Sequence, residues 1–327
     1  MNARIAVLIP CLNEEKTIDK VVKDFRCELP DAEIHVFDNA STDDTPRIAE
    51  EAGAIVHREN RRGKGYVVQT MFETVDADIY IMVDGDDTYP AEAVHSLLRE
   101  VVAGEVDMAV GSRFLCPDSS FRPLNYAGNQ FFLRIINAIF GTRLTDVLSG
   151  YRAMSRRFVK ELPLFVPGFE IEVEMTIKAL GRGYRIGEKP ARLRDRPEGS
   201  CSKLRKFRDG CRILWTIFAL MRDYKPMTTF GALGAIAVLL GLWMGVIAGS
   251  EPVLNSLASG NFSAVLPLWL ILSGMLAIGA GMILHILNRR MQELEHLLRA
   301  AQKSKERAPA GYTLPEEQTI LAATIPE

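Results

Sequence analysis

The chain has 327 residues, 48% of them hydrophobic and 24% charged, with a net charge of -2 at pH 7. Such a composition excludes a disordered chain, leaves room for one sizeable α/β domain with an appendage, and gives no reason to expect a nucleic-acid partner. Its five cysteines (Cys11, Cys27, Cys116, Cys201 and Cys211) are odd in number and lack metal-ligand or disulfide-framework spacing, so reduced thiols are expected. The opening residues lead directly into an apolar strand pattern with no signal-peptide features, which predicts a catalytic part that stays in the compartment where it is made.

Apolar runs at residues 5–9, 33–37, 54–57 and 79–83 predict strands, and stretches at 15–28, 45–52 and 65–75 predict helices between them. This alternation implies a mostly parallel sheet with helices on both faces, in which ligands sit beyond the carboxyl ends of the strands. Polar clusters fall at those ends: Pro10-Cys11-Leu12-Asn13-Glu14, Asp38-Asn39-Ala40-Ser41-Thr42-Asp43 and Asp84-Gly85-Asp86-Asp87.

A helix is expected over 126–140 with a wide apolar face (Phe131, Phe132, Ile135, Ile136, Ile139, Phe140), suited either to core packing or to a membrane interface. An amphipathic stretch follows at 203–222, where Lys203, Arg205, Lys206, Arg208 and Arg212 precede the apolar run from Ile213 to Phe218, an arrangement that suits anionic lipid headgroups. Residues 228–249 and 265–287 contain no Asp, Glu, Lys or Arg. Each is about 22 residues, enough to cross about 30 Å of hydrocarbon, and a buried hairpin is the soluble alternative.

The loop 250–264 carries no Lys or Arg, whereas Arg222 and Lys225 precede the first apolar segment and Arg289 and Arg290 follow the second. The predicted orientation therefore places both termini in the cytosol. A charged helix over 290–305 and a weakly ordered tail complete the chain, giving expected boundaries of 1–202 for the catalytic domain, 203–227 for an amphipathic collar, 228–287 for two spans and 288–327 for the cytosolic end.

The strand 79–83 ends in clustered carboxylates, which repel one another unless a cation shares them. A hard divalent cation bridging to a diphosphate meets that need, and a helix-capping turn is the plain alternative. The run Glu170, Glu172 and Glu174 reads, by its composition, as one solvated acidic helix face.

Taken in order, these clusters together with Gly63-Lys64-Gly65, Gly111-Ser112-Arg113, Asp146-Val147-Leu148-Ser149-Gly150-Tyr151-Arg152 and Arg196-Pro197-Glu198-Gly199-Ser200-Cys201-Ser202-Lys203 resemble a family 2 glycosyltransferase of the GT-A fold. The likeness covers residues 4–225 and is strongest to dolichyl- and polyprenyl-phosphate sugar synthases.

The resemblance implies a Rossmann-like catalytic domain with a two-helix membrane anchor, a nucleotide-sugar donor, a polyprenyl-phosphate acceptor and Mg²⁺ or Mn²⁺. It implies nucleotide contacts from Pro10, Leu12, Glu14, Asp38, Asn39, Lys64 and Asp84, metal ligation by Asp84 and Asp86, and a catalytic set of Asp86, Arg113, Arg152, Arg196 and Lys203. Arg113, Ser149, Arg152, Arg196, Ser202 and Lys203 would cradle the acceptor phosphate, because a guanidinium fork suits phosphate oxygens. Leu12 and Thr88 depart from the family pattern, standing where relatives often carry an aromatic residue and a Gln.

The resemblance also implies that Glu170, Glu172 and Glu174 lie where many such enzymes hold a catalytic base, but a lipid monophosphate is already an oxyanion near neutral pH and needs none, whereas a hydroxyl acceptor does. The amide oxygen of Asn39 suits a base N3–H and favours uridine over guanosine. The expected product is a polyprenyl-phosphate sugar for envelope glycans or glycoproteins, made at the cytoplasmic membrane. A transferase acting on a diacylglycerol or ceramide hydroxyl, a non-catalytic nucleotide-sugar-binding subunit, and self-association all stay open.

Overall fold

The computed structural model describes residues 3–116, 123–194, 206–248 and 265–307. The chain forms two compact units, Met1–Lys225 and Pro226–Glu327.

The first unit is built on a seven-stranded sheet in the order β3-β2-β1-β4-β6-β5-β7. Its strands are β1 (Ile5–Cys11), β2 (Glu33–Asp38), β3 (Ile55–Arg58), β4 (Ile79–Met82), β5 (Met108–Ser112), β6 (Arg152–Ser155) and β7 (Ile186–Pro190). Every pairing is parallel except those of β6, which runs antiparallel to both β4 and β5.

β1 and β4 are apolar along nearly their whole length because helices cover both faces of the sheet. On one face α1 (Ile18–Glu28), α2 (Thr45–Glu51) and α4 (Val94–Val102) pack, and on the other α3 (Lys64–Thr74), α6 (Arg156–Glu161) and α7 (Ile171–Gly181). Helix α1 turns Ile18, Val21, Val22 and Phe25 inward at helical spacing, and burying each such side chain contributes roughly 1.5–3 kcal/mol.

β6 carries no legible strand signal, since it is four residues long and begins with a buried arginine. Its antiparallel insertion matters to function, because it brings the loop before Arg152 alongside the end of β4.

Helix α5 (Pro123–Phe140) divides its apolar surface: Leu133 and Ile136 are buried, and Phe131 is exposed. α8 (Lys206–Tyr224) packs Ile213, Ile217 and Leu220 in one cluster with Val173 and Ile177 of α7, so it belongs to the catalytic unit. The other side of α8 leaves Leu214, Trp215 and Phe218 exposed.

The second unit is a helical pair, α9 (Pro226–Ala248) and α10 (Val265–Arg307). Both contain segments long and apolar enough to cross a membrane, Pro226–Ile247 and Val265–Leu294. The backbones approach closely at Gly234 and Gly274, where an added methyl would strike the opposite carbonyl oxygen. The charged helix expected at 290–305 is continuous with the second apolar segment, because no Gly or Pro interrupts the chain between Gly281 and Arg307.

Candidate active site

Four loops meet beyond the ends of β1, β2 and β4. The β1 and β2 loops are stitched together: Asn13 N donates to Ser41 Oγ (2.9 Å), Thr42 N donates to Asn13 Oδ1 (2.7 Å) and Glu14 N donates to Thr45 Oγ1 (2.8 Å). Asn13 and Ala40 accept positive φ values of 51° and 59° to make this clasp. Pro10, Leu12 and Glu14 line the first loop half-exposed, while Asp38 is buried and accepts from Ser41 N.

Asn39 does not offer its amide to a base. Its Oδ1 accepts from Gly63 N (2.8 Å) and its Nδ2 donates to the carbonyls of Glu59 (3.1 Å) and Arg61 (2.8 Å). The amide therefore clamps the loop that carries Lys64, and the preference for uridine drawn from its oxygen loses its basis.

Lys64 occupies the centre. Its ammonium lies 2.5 Å from Asp84 Oδ1 and 2.5 Å from Glu172 Oε1, with only 11% of the side chain exposed. Burial pushes against the charge, but the two carboxylates more than offset it and hold the pKa above the ordinary lysine value. Gly65 permits this placement, since any side chain there would collide with the Val166 carbonyl, and Gly65 N donates to Pro167 O (3.0 Å).

Asp84 is partly exposed, and Asp86 is buried with Oδ1 accepting from the hydroxyl (2.6 Å) and amide (3.2 Å) of Thr88. Among the described residues no group of three or more His, Cys, Asp or Glu side chains could enclose a metal ion. Two hard carboxylates fit a Mg²⁺ or Mn²⁺ ion that takes its remaining ligands from water and a diphosphate, not an all-protein cage.

Arg113 forms a fork on Asp146, Nε to Oδ2 at 2.6 Å and Nη2 to Oδ1 at 2.7 Å. Burial disfavours its charge, yet the Asp146 carboxylate holds it cationic, above its usual value. Glu188 fixes the loop beneath by accepting from Thr145 N and Asp146 N.

Two members of the expected phosphate cradle do different work. Arg152 is fully buried and donates to the carbonyls of Ser149, Val147 and Glu172 and to Thr176 Oγ1, so its guanidinium ties β6 to α7 and reaches no phosphate. Ser149 is equally buried, donating to Gly111 O (2.6 Å) beside the Tyr89 hydroxyl, and it shapes the loop instead of binding a ligand. Arg196, Ser202 and Lys203 lie outside the described residues.

The glutamate run is not a solvated face, because all three residues are buried. Glu174 accepts from Phe165 N and Val166 N and pairs with Lys178 at 2.7 Å, Glu172 pairs with Lys64, and Glu170 faces Arg212 at 3.9 Å. Alternate residues of a helix point in different directions, which the repeated spacing in the sequence conceals. Sequence reasoning also missed the roles of Asp146 and Glu172 as partners of Arg113 and Lys64. Asp146 stands within a motif that signalled its loop, whereas no local pattern signals a partner more than 100 residues away.

Residues 6–162 match the model described as Glycosyl transferase family 2. The chain is 33% identical over 300 residues to glycosyltransferase AglJ of Haloferax volcanii, covering 90% of this chain and 98% of that relative. It is 30% identical over 210 residues to the dolichyl-phosphate hexose transferase of the same organism, covering 64% and 90% respectively. Glucosyl-3-phosphoglycerate synthase from Mycobacterium tuberculosis, solved with Mn²⁺, uridine diphosphate and glucosyl-3-phosphoglycerate, superposes with a TM-score of 0.54 at 25% identity, over 67% of this chain and 80% of that one.

Proposed function

The chain belongs to glycosyl transferase family 2, and on that premise we propose that it transfers a sugar from a nucleotide diphosphate sugar, a UDP-sugar by preference, to a polyprenyl phosphate. The observation that carries the acceptor is the state of the glutamate run. Glu172 and Glu174 are each within 2.7 Å of a lysine and are committed to those cations, and Glu170 is buried and faces Arg212 at 3.9 Å. A hydroxyl acceptor needs a base to take its proton, whereas a phosphate monoester already presents an oxyanion. The similarity to a dolichyl-phosphate hexose transferase supports the same acceptor class. The uridine preference rests on the uridine diphosphate held by the structural relative, not on Asn39.

In this reading an acceptor phosphate oxygen forms a bond to the anomeric carbon as the bond to the donor diphosphate breaks, and the electron pair of that bond leaves with the diphosphate. A single displacement inverts the anomeric carbon. Asp84 and Asp86 would hold Mg²⁺ or Mn²⁺, whose charge would neutralise the departing diphosphate. Lys64 supplies a fixed cation at the same end of β4, and Arg113, kept rigid by Asp146, is the described guanidinium best placed by its loop for an anionic reactant. Arg196, Ser202 and Lys203 complete the proposed acceptor cradle.

Helices α9 and α10 serve as the membrane anchor, with the catalytic unit and both termini on the cytosolic face of the cell membrane. The proposed domain scheme is a catalytic region to residue 202 with the amphipathic collar packed onto it through α8, two spans and a cytosolic helix. The 250–264 loop, which carries no Lys or Arg, and the basic flanks of the two spans support that orientation.

The deciding experiment offers purified protein a panel of labelled UDP- and GDP-sugars with undecaprenyl phosphate, undecaprenol or diacylglycerol, followed by lipid extraction. Product from undecaprenyl phosphate alone is expected, and product from the alcohols but not the phosphate would overturn the acceptor.

A further inference from the structure

The two carboxylates on Lys64 are not equivalent. Asp84 stands at the open end of β4 with 29% of its side chain exposed, while Glu172 lies in the first turn of α7 with 5% exposed. The backbone of Glu172 is pinned, its carbonyl accepting from Arg152 Nη2 (2.9 Å) and Thr176 Oγ1 (2.9 Å). Lys64 is pinned too, because the loop on either side is clamped by Asn39 and by the Val166–Pro167 carbonyls.

Three ammonium protons are available, and two are used in the geometry described. If Asp84 joins Asp86 around a cation, it can no longer neutralise Lys64, and a buried ammonium without a counter-ion is costly.

We propose that Glu172 is a positioning residue that keeps Lys64 in place and neutralised while Asp84 exchanges the ammonium for the cation and diphosphate. Lys64 then keeps one bond to Glu172 and turns its other donors toward the diphosphate oxygens. Glu172 acts through Lys64 and takes no proton from the acceptor. This inference rests on the proposed donor chemistry and deepens it, since it assigns the buried glutamate of the run a purpose other than base.

The test is calorimetric binding of Mn²⁺ with UDP, and in parallel Mn²⁺ with GDP, to the full-length protein and to Glu172→Gln, Glu172→Asp, Lys64→Met and the Glu172→Gln/Lys64→Met double variant. Glu172→Gln should weaken nucleotide binding about tenfold, and Glu172→Asp should recover part of the loss. The double variant should bind no more weakly than Lys64→Met alone, because Glu172 works only through the lysine. Steady-state kinetics of Glu172→Gln should show a raised donor KM with a smaller effect on kcat.

Full additivity of the two losses, or unaltered binding with a collapse of kcat alone, would overturn the proposal, and so would a Glu172→Asp protein no better than Glu172→Gln. Wild-type protein that binds neither nucleotide would instead remove the donor reading, and this inference with it.

Discussion

Gly150 lies so close to the carboxylate of Asp84 that a methyl group built on it would collide with Oδ2. The loop before β6 thus acts as a backstop, holding the Asp84 side chain against Lys64. Gly150→Ala is expected to displace that carboxylate and cut transfer about 10²-fold, as small misplacements of reacting groups do. The melting temperature should move little, because the neighbour is the end of a side chain. Steady-state rates beside a thermal melt check both halves.

Asp86 gives a second expectation. Asp86→Asn retains an acceptor for the Thr88 hydroxyl and amide but removes the charge, so the loop should persist while transfer falls by about 10²-fold or more. Chelation by EDTA should abolish wild-type transfer, with recovery on adding Mg²⁺ or Mn²⁺. Undiminished turnover in EDTA would contradict metal ligation at this strand end.

Arg152 should behave as a structural residue. Arg152→Ala strips the carbonyls of Ser149, Val147 and Glu172 of a buried donor, which is expected to cost about 3 kcal/mol or more of stability. A variant that melts like the wild type yet fails to use the acceptor would return Arg152 to the phosphate site. Thermal unfolding in detergent, read alongside acceptor KM, separates these outcomes.

The pH dependence of stability has a marked source in β2 and β3. His35 Nδ1 and His57 Nε2 are 3.0 Å apart, so one proton can be shared between them and a second is opposed. Burial lowers the pKa of both histidines, with Glu33 partly countering this at His35 and the neighbouring charge adding to it at His57. Because the folded values lie below about 6.5, the unfolded chain takes up protons first as pH falls. The contribution is therefore fully present above about pH 6.5 and is lost below it. Melting temperature should decline between about pH 6.5 and 5, and the decline should flatten in a His35→Gln/His57→Gln variant. Glu59, whose carboxyl Arg61 holds down at about 2, gives up its contribution only below its ordinary value of 4.5, so the two windows are distinct.

The sequence by itself determined the elements whose signals are local. Buried parallel strands are rich in apolar residues, so β1, β2 and β4 were legible, as were the polar loops at their ends and the two stretches free of Asp, Glu, Lys and Arg that became α9 and the start of α10. Gly63-Lys64-Gly65 and Asp84-Gly85-Asp86 were readable as parts of a candidate site because close backbone approach and clustered carboxylates restrict residue type at each position.

Only the tertiary structure decided which charges face the site. Arg113 and Arg152 look alike in the sequence, yet one forms a fork on Asp146 and the other is spent on backbone carbonyls. Asn39 was readable as a base contact and proved to be a loop clamp, while evenly spaced glutamates found three different partners. The reason is physical: the role of a buried polar group is set by its hydrogen-bond partner, and in this fold that partner sits on another element, as Glu172 does for Lys64.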